Sequence, residues 1–122
     1  MQQVKSLGSA KIISLNKDKI LDEMKKIVEK IKNDEKENLV DIILFGSLAK
    51  GDYTGFSDVD IVIILKNSEL NFIKRIQKYL KYFYLDIPVD LFVYTLPEFK
   101  KMRKENNYFI KEIIDNGISI LK

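Results

Sequence analysis

The sequence contains no cysteine and no histidine, and only two prolines and five glycines among its 122 residues. Without cysteine there is no disulfide framework, thiolate nucleophile or zinc–thiolate site, and without histidine there is neither an imidazole base nor an imidazole ligand. Any metal must therefore be held by oxygen, and carboxylates with water favour Mg²⁺, Mn²⁺ or Ca²⁺, magnesium being the default. Long apolar runs are missing too: nothing approaches a bilayer span, and MQQVKSLGSAKIISL has no apolar stretch behind a basic start. The expectation is a soluble, cytoplasmic chain without a membrane partner. Nor is there a large excess of one charge, since 21 Lys and Arg against 18 Asp and Glu leave +3. That is compatible with a nucleotide and weak support for wrapping a nucleic-acid backbone.

What is present fits one domain over residues 1–122, with 46% apolar residues to build a core. Residues 1–15 read as an edge strand around Lys11 to Leu15 or a docked arm, with Gly8-Ser9 arguing against a helix. From Asn16, a plausible N-cap, the positions Ile20, Leu21, Met24, Ile27, Val28 and Ile31 form one apolar stripe of an amphipathic helix that ends within Lys32 to Asn38. Val40 to Phe45 and Val59 to Leu65 are short, β-branched and apolar on both faces, as central strands of a covered sheet are. Ser68 is a candidate cap for a helix with Phe72, Ile73, Ile76, Tyr79, Leu80 and Phe83 inward and Lys74, Arg75, Lys78 and Lys81 on a solvated basic face. Val89 to Tyr94 reads as a third strand, and Thr95-Leu-Pro-Glu98 as a capping box opening a helix that turns Phe99 and Met102 inward. A break near Asn106-Asn107 precedes a last helix using Phe109, Ile110, Ile113 and Ile114, stopped at Asn116-Gly117, with Ile118 to Leu121 as a short final strand. The fold class is α/β (α+β), a mixed central sheet flanked by helices.

The chemistry concentrates between Leu39 and Leu65. Side chains alternate across a strand, so Asp58 and Asp60 share a side with Cα atoms about 6.5–7 Å apart. Two ionised carboxylates some 4–5 Å apart repel by roughly 3–4 kcal/mol at an effective dielectric of about 20, so either one is protonated or a cation lies between them. Asp90 opens another strand and can bring a third carboxylate to the same place. Three carboxylates without histidine suit a two-metal magnesium site for phosphoryl or nucleotidyl transfer. Across the turn, Gly46 lets backbone approach a ligand, Ser47 offers a hydroxyl, and a short helix starting at Ser47 would aim N–H groups at an anion. Lys50 adds charge, while Gly51 and Gly55 release the chain toward the second strand. The segment is not a Walker loop, because Gly51 is followed by Asp52.

Gly46-Ser47, ten intervening residues, then Asp58-Val59-Asp60, with Ser57 before the first Asp and Asp90 in a later VDLFVY strand, resembles the minimal nucleotidyltransferases of the DNA polymerase beta superfamily. The likeness runs from the leading helix to the closing FIKEIIDNGISIL. It departs at Lys50, where many relatives carry Arg, so charge is kept while a bidentate phosphate fork is lost. The resemblance implies the polymerase beta-like nucleotidyltransferase fold, ATP as substrate and two Mg²⁺ ions, with Mn²⁺ as the substitute. It implies that Asp58 and Asp60 bind both ions and that Asp90 completes the catalytic one and helps to activate the attacking hydroxyl. Gly46 and Ser47 would hold the triphosphate, with Lys50 and Ser57 beside them. The implied reaction moves AMP from ATP to a hydroxyl on a partner protein. Small relatives are often paired with a HEPN-domain ribonuclease toxin that they adenylylate as antitoxins, which makes such a protein the implied partner. A non-catalytic, nucleotide-sensing antitoxin or regulatory subunit is the alternative, against which the intact carboxylates argue. A glycosyltransferase fits less well, since its Asp-x-Asp ends a strand in a much longer chain.

Overall fold

The computed structural model describes residues 2–50, 58–85 and 88–121, with side chains from residue 18 onward except 47 and 48. Helix α1 (Gln2–Glu35) leads through a 3-10 turn (Lys36–Asn38) into β1 (Leu39–Phe45), and a one-turn helix α2 (Ser47–Lys50) follows. Next come β2 (Val59–Leu65), α3 (Phe72–Leu80), β3 (Val89–Thr95), α4 (Leu96–Lys104), α5 (Tyr108–Asn116) and β4 (Ile118–Ser119). The sheet order is β3-β2-β1-β4. β1 is antiparallel to both its neighbours, and β2 and β3 are parallel, joined by the α3 crossover. This is the mixed sheet with flanking helices that the alternation of apolar patterns predicts. Among the described residues no helix is long and apolar enough to cross a membrane.

The two faces of β2 divide the core. Val59, Ile61, Ile63 and Leu65 pack with Ile20, Met24, Ile27 and Ile31 of α1 and Tyr79 of α3. Val62 and Ile64 pack on the other side with Phe99 of α4 and Ile110 and Ile113 of α5. Covered on both faces, the central strands read as continuous apolar runs for this reason.

Four local expectations are corrected. The chain before Asn16 is neither an edge strand nor an arm: α1 begins at Gln2, so Asn16 lies inside the helix rather than at its start. A glycine costs a helix interior only about 1 kcal/mol relative to alanine, while each residue added to a formed helix gains a hydrogen bond, so Gly8 does not stop propagation. Ser68 does not cap α3; Asn71 does, its side chain accepting from Lys74 N–H at 2.9 Å, while Ser68 Oγ accepts from Leu70 N–H. The buried stripe of α3 is also rotated from the expected one: Ile73 and Leu80 are 61% and 44% exposed, and Arg75, expected on the solvated face, is 6% exposed. In α5, Ile114 lies outward at 42%.

Arg75 explains the rotation. Its Nε donates to Leu70 O at 2.8 Å, Nη1 to Val93 O at 3.2 Å and Glu98 Oε1 at 2.6 Å, and Nη2 to Glu98 Oε2 at 3.1 Å. A guanidinium satisfied in this way can enter a core that an unpaired cation cannot. Glu98 also accepts from Thr95 N–H at 2.8 Å, completing the expected capping box of α4. Its hydrogen bonds from Arg75 and then Thr95 hold its carboxyl below the usual range. On the far side of α3, Tyr79 Oη donates to Glu35 Oε1 at 2.7 Å and Tyr82 Oη to Asp34, fastening α3 to the end of α1.

The C-terminal elements follow the expected punctuation. Asn106 takes a positive φ of 59°, and Asn107 caps α5 by accepting from Phe109 and Ile110 N–H. Gly117 ends it with its N–H on Ile113 O at 2.8 Å. A Cβ at Gly117 would stand 2.5 Å from Ile43 Cγ2 and 2.3 Å from Ile113 O, so glycine is what lets the chain turn tightly enough to pair β4 with β1.

Replacing Arg75 with Met, which keeps the apolar stem, should cost about 2–3 kcal/mol by leaving Val93 O and Glu98 without their donor. Glu98→Gln, which retains an acceptor for Thr95, should cost about 1 kcal/mol. Urea unfolding of the two variants measures both; equal losses would mean that the helix cap, rather than the guanidinium, carries the stability.

Candidate active site

Three strand ends meet at one end of the sheet. In the antiparallel ladder Phe45 at the end of β1 stands opposite Asp60, and in the parallel ladder Asp60 stands beside Asp90. In-register neighbours in a sheet direct side chains to the same face, so the two acids emerge together on the α4–α5 side. Two residues further in, Val62 and Phe92 form the next such pair. Phe45, Phe92 and Phe109 cluster there, with ring centroids 6.2 Å (Phe45–Phe92), 5.4 Å (Phe45–Phe109) and 4.8 Å (Phe92–Phe109) apart. The acids thus sit on an aromatic floor.

Of the three acids Asp60 is half-buried, while Asp58 and Asp90 are exposed. Its carboxyl is pushed up to about 6, first by burial, then by the charge of Asp90 and a hydrogen bond with the Asp90 carboxyl, and last by the charge of Asp58. A hydrogen bond between two carboxyls exists only while one of them keeps a proton, and the raised value of Asp60 lets it keep one well above the usual carboxylate range. Among the described residues no three acidic side chains gather closely enough to cage one ion. The close pair is Asp60 with Asp90, and Asp58, immediately before β2, acts on Asp60 through its charge.

The turn after β1 closes on the same point. Gly46 has φ +75°, and a Cβ there would lie 2.1 Å from Asp60 Oδ2. Only glycine allows both the left-handed backbone and the approach of the carboxylate. From Gly46 the chain enters α2, and Lys50 N–H returns to Gly46 O at 3.0 Å. Lys50 Nζ lies 2.8 Å from Glu112 Oε1 on α5, and Asn116 Nδ2 donates to Glu112 Oε2 at 2.9 Å. These two contacts, Lys50 first, hold the Glu112 carboxyl below its usual range.

Of the site residues expected from sequence, the structure brings Gly46, Asp60 and Asp90 together, sets Asp58 beside them, and ties Lys50 to α5. Ser47 opens α2, with its side chain outside the described residues, as is the whole of Ser57. Sequence reasoning missed the pairing of Gly46 with Asp60, the aromatic floor and Glu112. Phe109 was read as core, which it is, but nothing local says that it lies beneath the acids. Glu112 carried one signal, its i, i+4 spacing to Asn116.

A family model described as the nucleotidyltransferase domain matches residues 19–120. A Methanocaldococcus jannaschii protein provisionally named a protein adenylyltransferase is 42% identical over 62 residues, covering 51% of this chain and 58% of the relative. The chain therefore spans little more than half the length of that relative. Among solved structures, one provisionally named a nucleotidyltransferase, from Sulfolobus solfataricus, superposes with a TM-score of 0.62 at 25% identity, over 85% of this chain and 81% of the other. The toxin–antitoxin structure MntA–HpeT contains a chain that matches with a TM-score of 0.51 at 27% identity, over 76% of this chain and 68% of that one.

The raised value of Asp60 has a defined consequence for stability. When the folded state holds a proton more tightly than the unfolded state, the stabilising contribution is complete below the unfolded value, near 3.8, and is lost as pH rises through about 6. In chelator-treated protein, Asp60→Asn should therefore match the native chain in acid, become progressively more stable than it between about pH 4 and pH 6, and keep a constant advantage above that. Thermal unfolding across that range checks this; a difference that does not vary with pH would mean that burial and the neighbouring acids do not raise Asp60.

Proposed function

Because the chain belongs to the nucleotidyltransferase-domain family, we propose that it transfers the AMP moiety of ATP to a hydroxyl on a partner protein. The observation that carries this reading is the in-register pair Asp60 and Asp90 with the backbone of Gly46 against Asp60. It sets an acidic cluster and a glycine turn at a single point, as a reaction between a cation-bound triphosphate and a hydroxyl requires.

The residues fit a hard divalent cation. The donors are all oxygen, and a cation would relieve both the burial of charge and the repulsion from Asp90 that raise Asp60. Mg²⁺ characteristically takes only one or two protein carboxylates and completes its shell with phosphate oxygens and water, so a close pair of acids is enough to seat it. Asp60 and Asp90 would hold the ion, with Asp58, immediately before β2, adding its charge nearby, and Mn²⁺ could replace it. Bound there, Mg²⁺ supplies charge neutralisation for the triphosphate and alignment for in-line displacement.

The chain's own groups do the rest. Gly46 and Ser47 hold the phosphates, the missing Cβ leaving room for close approach to the backbone. Asp90, on the open side of the acid pair, accepts the proton of the attacking hydroxyl. A new bond forms between that oxygen and the α-phosphorus, the bond from the α-phosphorus to the bridging oxygen of the β-phosphate breaks, and pyrophosphate leaves. Positioning and charge stabilisation account for most of what such a transfer asks of a protein.

The partner is a toxin of the HEPN-domain class, adenylylated on a hydroxyl side chain. Support comes from the relative named for protein adenylylation and from the toxin–antitoxin structure among the fold neighbours. The test incubates the full chain with α-labelled ATP, Mg²⁺ and the protein encoded beside it. Label should pass to that protein, cease with EDTA, and fall about 10²-fold or more in Asp58→Ala, Asp60→Ala and Asp90→Ala. Neutralisation of the toxin that persists in these variants without label transfer would instead favour a nucleotide-sensing binding subunit.

A further inference from the structure

We propose that Glu112 is a positioning residue for the phosphate-holding turn, acting through Lys50 to clamp that turn against α5. The proposal rests on the reading of Gly46 and Ser47 as the triphosphate site, and assigns the charge of Lys50 to the clamp.

The path is continuous in named contacts. Asn116 Nδ2 and Lys50 Nζ each hold one oxygen of the Glu112 carboxylate, at 2.9 and 2.8 Å. Lys50 N–H is bonded to Gly46 O at 3.0 Å, and Gly46 lies against Asp60. The two ends of this path differ in rigidity. α5 is fixed by Ile110 and Ile113, which are fully buried, and by its Asn107 cap. α2 has four residues, too few to hold its shape by its own hydrogen bonds. A short turn that must present its backbone to phosphate within a few tenths of an ångström needs a support outside itself, and the bond from α5 through Lys50 provides one.

Electrostatics and positioning predict opposite signs. Removing Glu112 deletes a negative charge beside Lys50, which by charge alone should tighten binding of a polyanion. If the clamp is what matters, the same change loosens the turn and weakens binding.

The experiment is calorimetric titration of the full chain with ATP and Mg²⁺, comparing Glu112→Ala, Lys50→Met and the double variant. Glu112→Ala and Lys50→Met should each weaken binding by about fivefold, the scale of a half-exposed ion pair. The double variant should bind no worse than the weaker single one, because both remove the same contact. Glu112→Gln, which keeps an acceptor oxygen, should fall between Glu112→Ala and the native chain. Melting temperatures should stay within about 2 °C of native, separating a local clamp from general destabilisation. In labelled transfer, KM for ATP should rise while kcat holds. Tighter or unchanged ATP binding in Glu112→Ala overturns the proposal, as does additivity in the double variant. A native chain that binds no ATP overturns the functional reading and this inference together; native binding with additive effects overturns the inference alone.

Discussion

The in-register parallel pairing of β2 with β3 puts Asp60 beside Asp90, and the rest of the site is arranged around that placement. Repulsion between two such carboxylates, roughly 3–4 kcal/mol at close range, would favour moving them apart. The simplest escape, a one-residue slip of β2, would carry Asp60 to the face where Ile61 is fully buried and where a carboxylate would be desolvated without a partner. It would also displace apolar side chains of β2 from both cores, each worth about 1.5–3 kcal/mol when buried. Several such terms outweigh one repulsion, so the hydrophobic core holds the acids in an arrangement they would not choose. The crowding is tolerable at the mouth of the strands, where solvent or a cation reaches it, and would not be one layer deeper.

β3 lies at the edge of the sheet, and a strand that carries one of the paired acids from an edge needs its position secured on its outer side. Arg75 does this from α3. It donates to Val93 O on β3 and to Glu98 at the start of α4, so one guanidinium joins the helix layer on one face to the helix layer on the other around the strand edge. The glutamate that receives it also closes the capping box that starts α4 directly after β3. Edge protection, helix initiation and layer-to-layer attachment are therefore the same set of hydrogen bonds, which explains why α3 turns Arg75 inward and leaves Ile73 and Leu80 outside.

Features encoded within a few residues were legible in the sequence. Val59 to Leu65 declared itself a doubly covered strand, Thr95 and Glu98 a capping box, Asn116-Gly117 a helix stop, and Asp58, Asp60 and Asp90 an oxygen-rich group. What escaped depends on partners distant in sequence. Arg75 reads as a surface cation because nothing near it announces Glu98, and Gly8-Ser9 reads as a break because the helix that runs through it draws on residues further along the chain. Gly46 was singled out for its freedom to approach a ligand, while the sequence could not say that Asp60 occupies the space a side chain would need. The aromatic floor beneath the acids draws one ring each from β1, β3 and α5, and no local period reveals such a set.

The two halves of the site are secured by different physics. The acid half is set by burial of β2 and β3, a term indifferent to ionic strength and spread over many side chains. The glycine-turn half is a four-residue helix tied to α5 through Lys50 and Glu112, both side chains of which are nearly half exposed. Such a pair is screened by salt over a Debye length of about 8–10 Å. Conditions that loosen the glycine turn can therefore leave the acids where they are. Under the proposed transfer, which releases pyrophosphate at each turnover, this division would be useful: the acids that set the geometry of reaction stay fixed, while the turn proposed to hold the phosphates is supported by contacts weak enough to open.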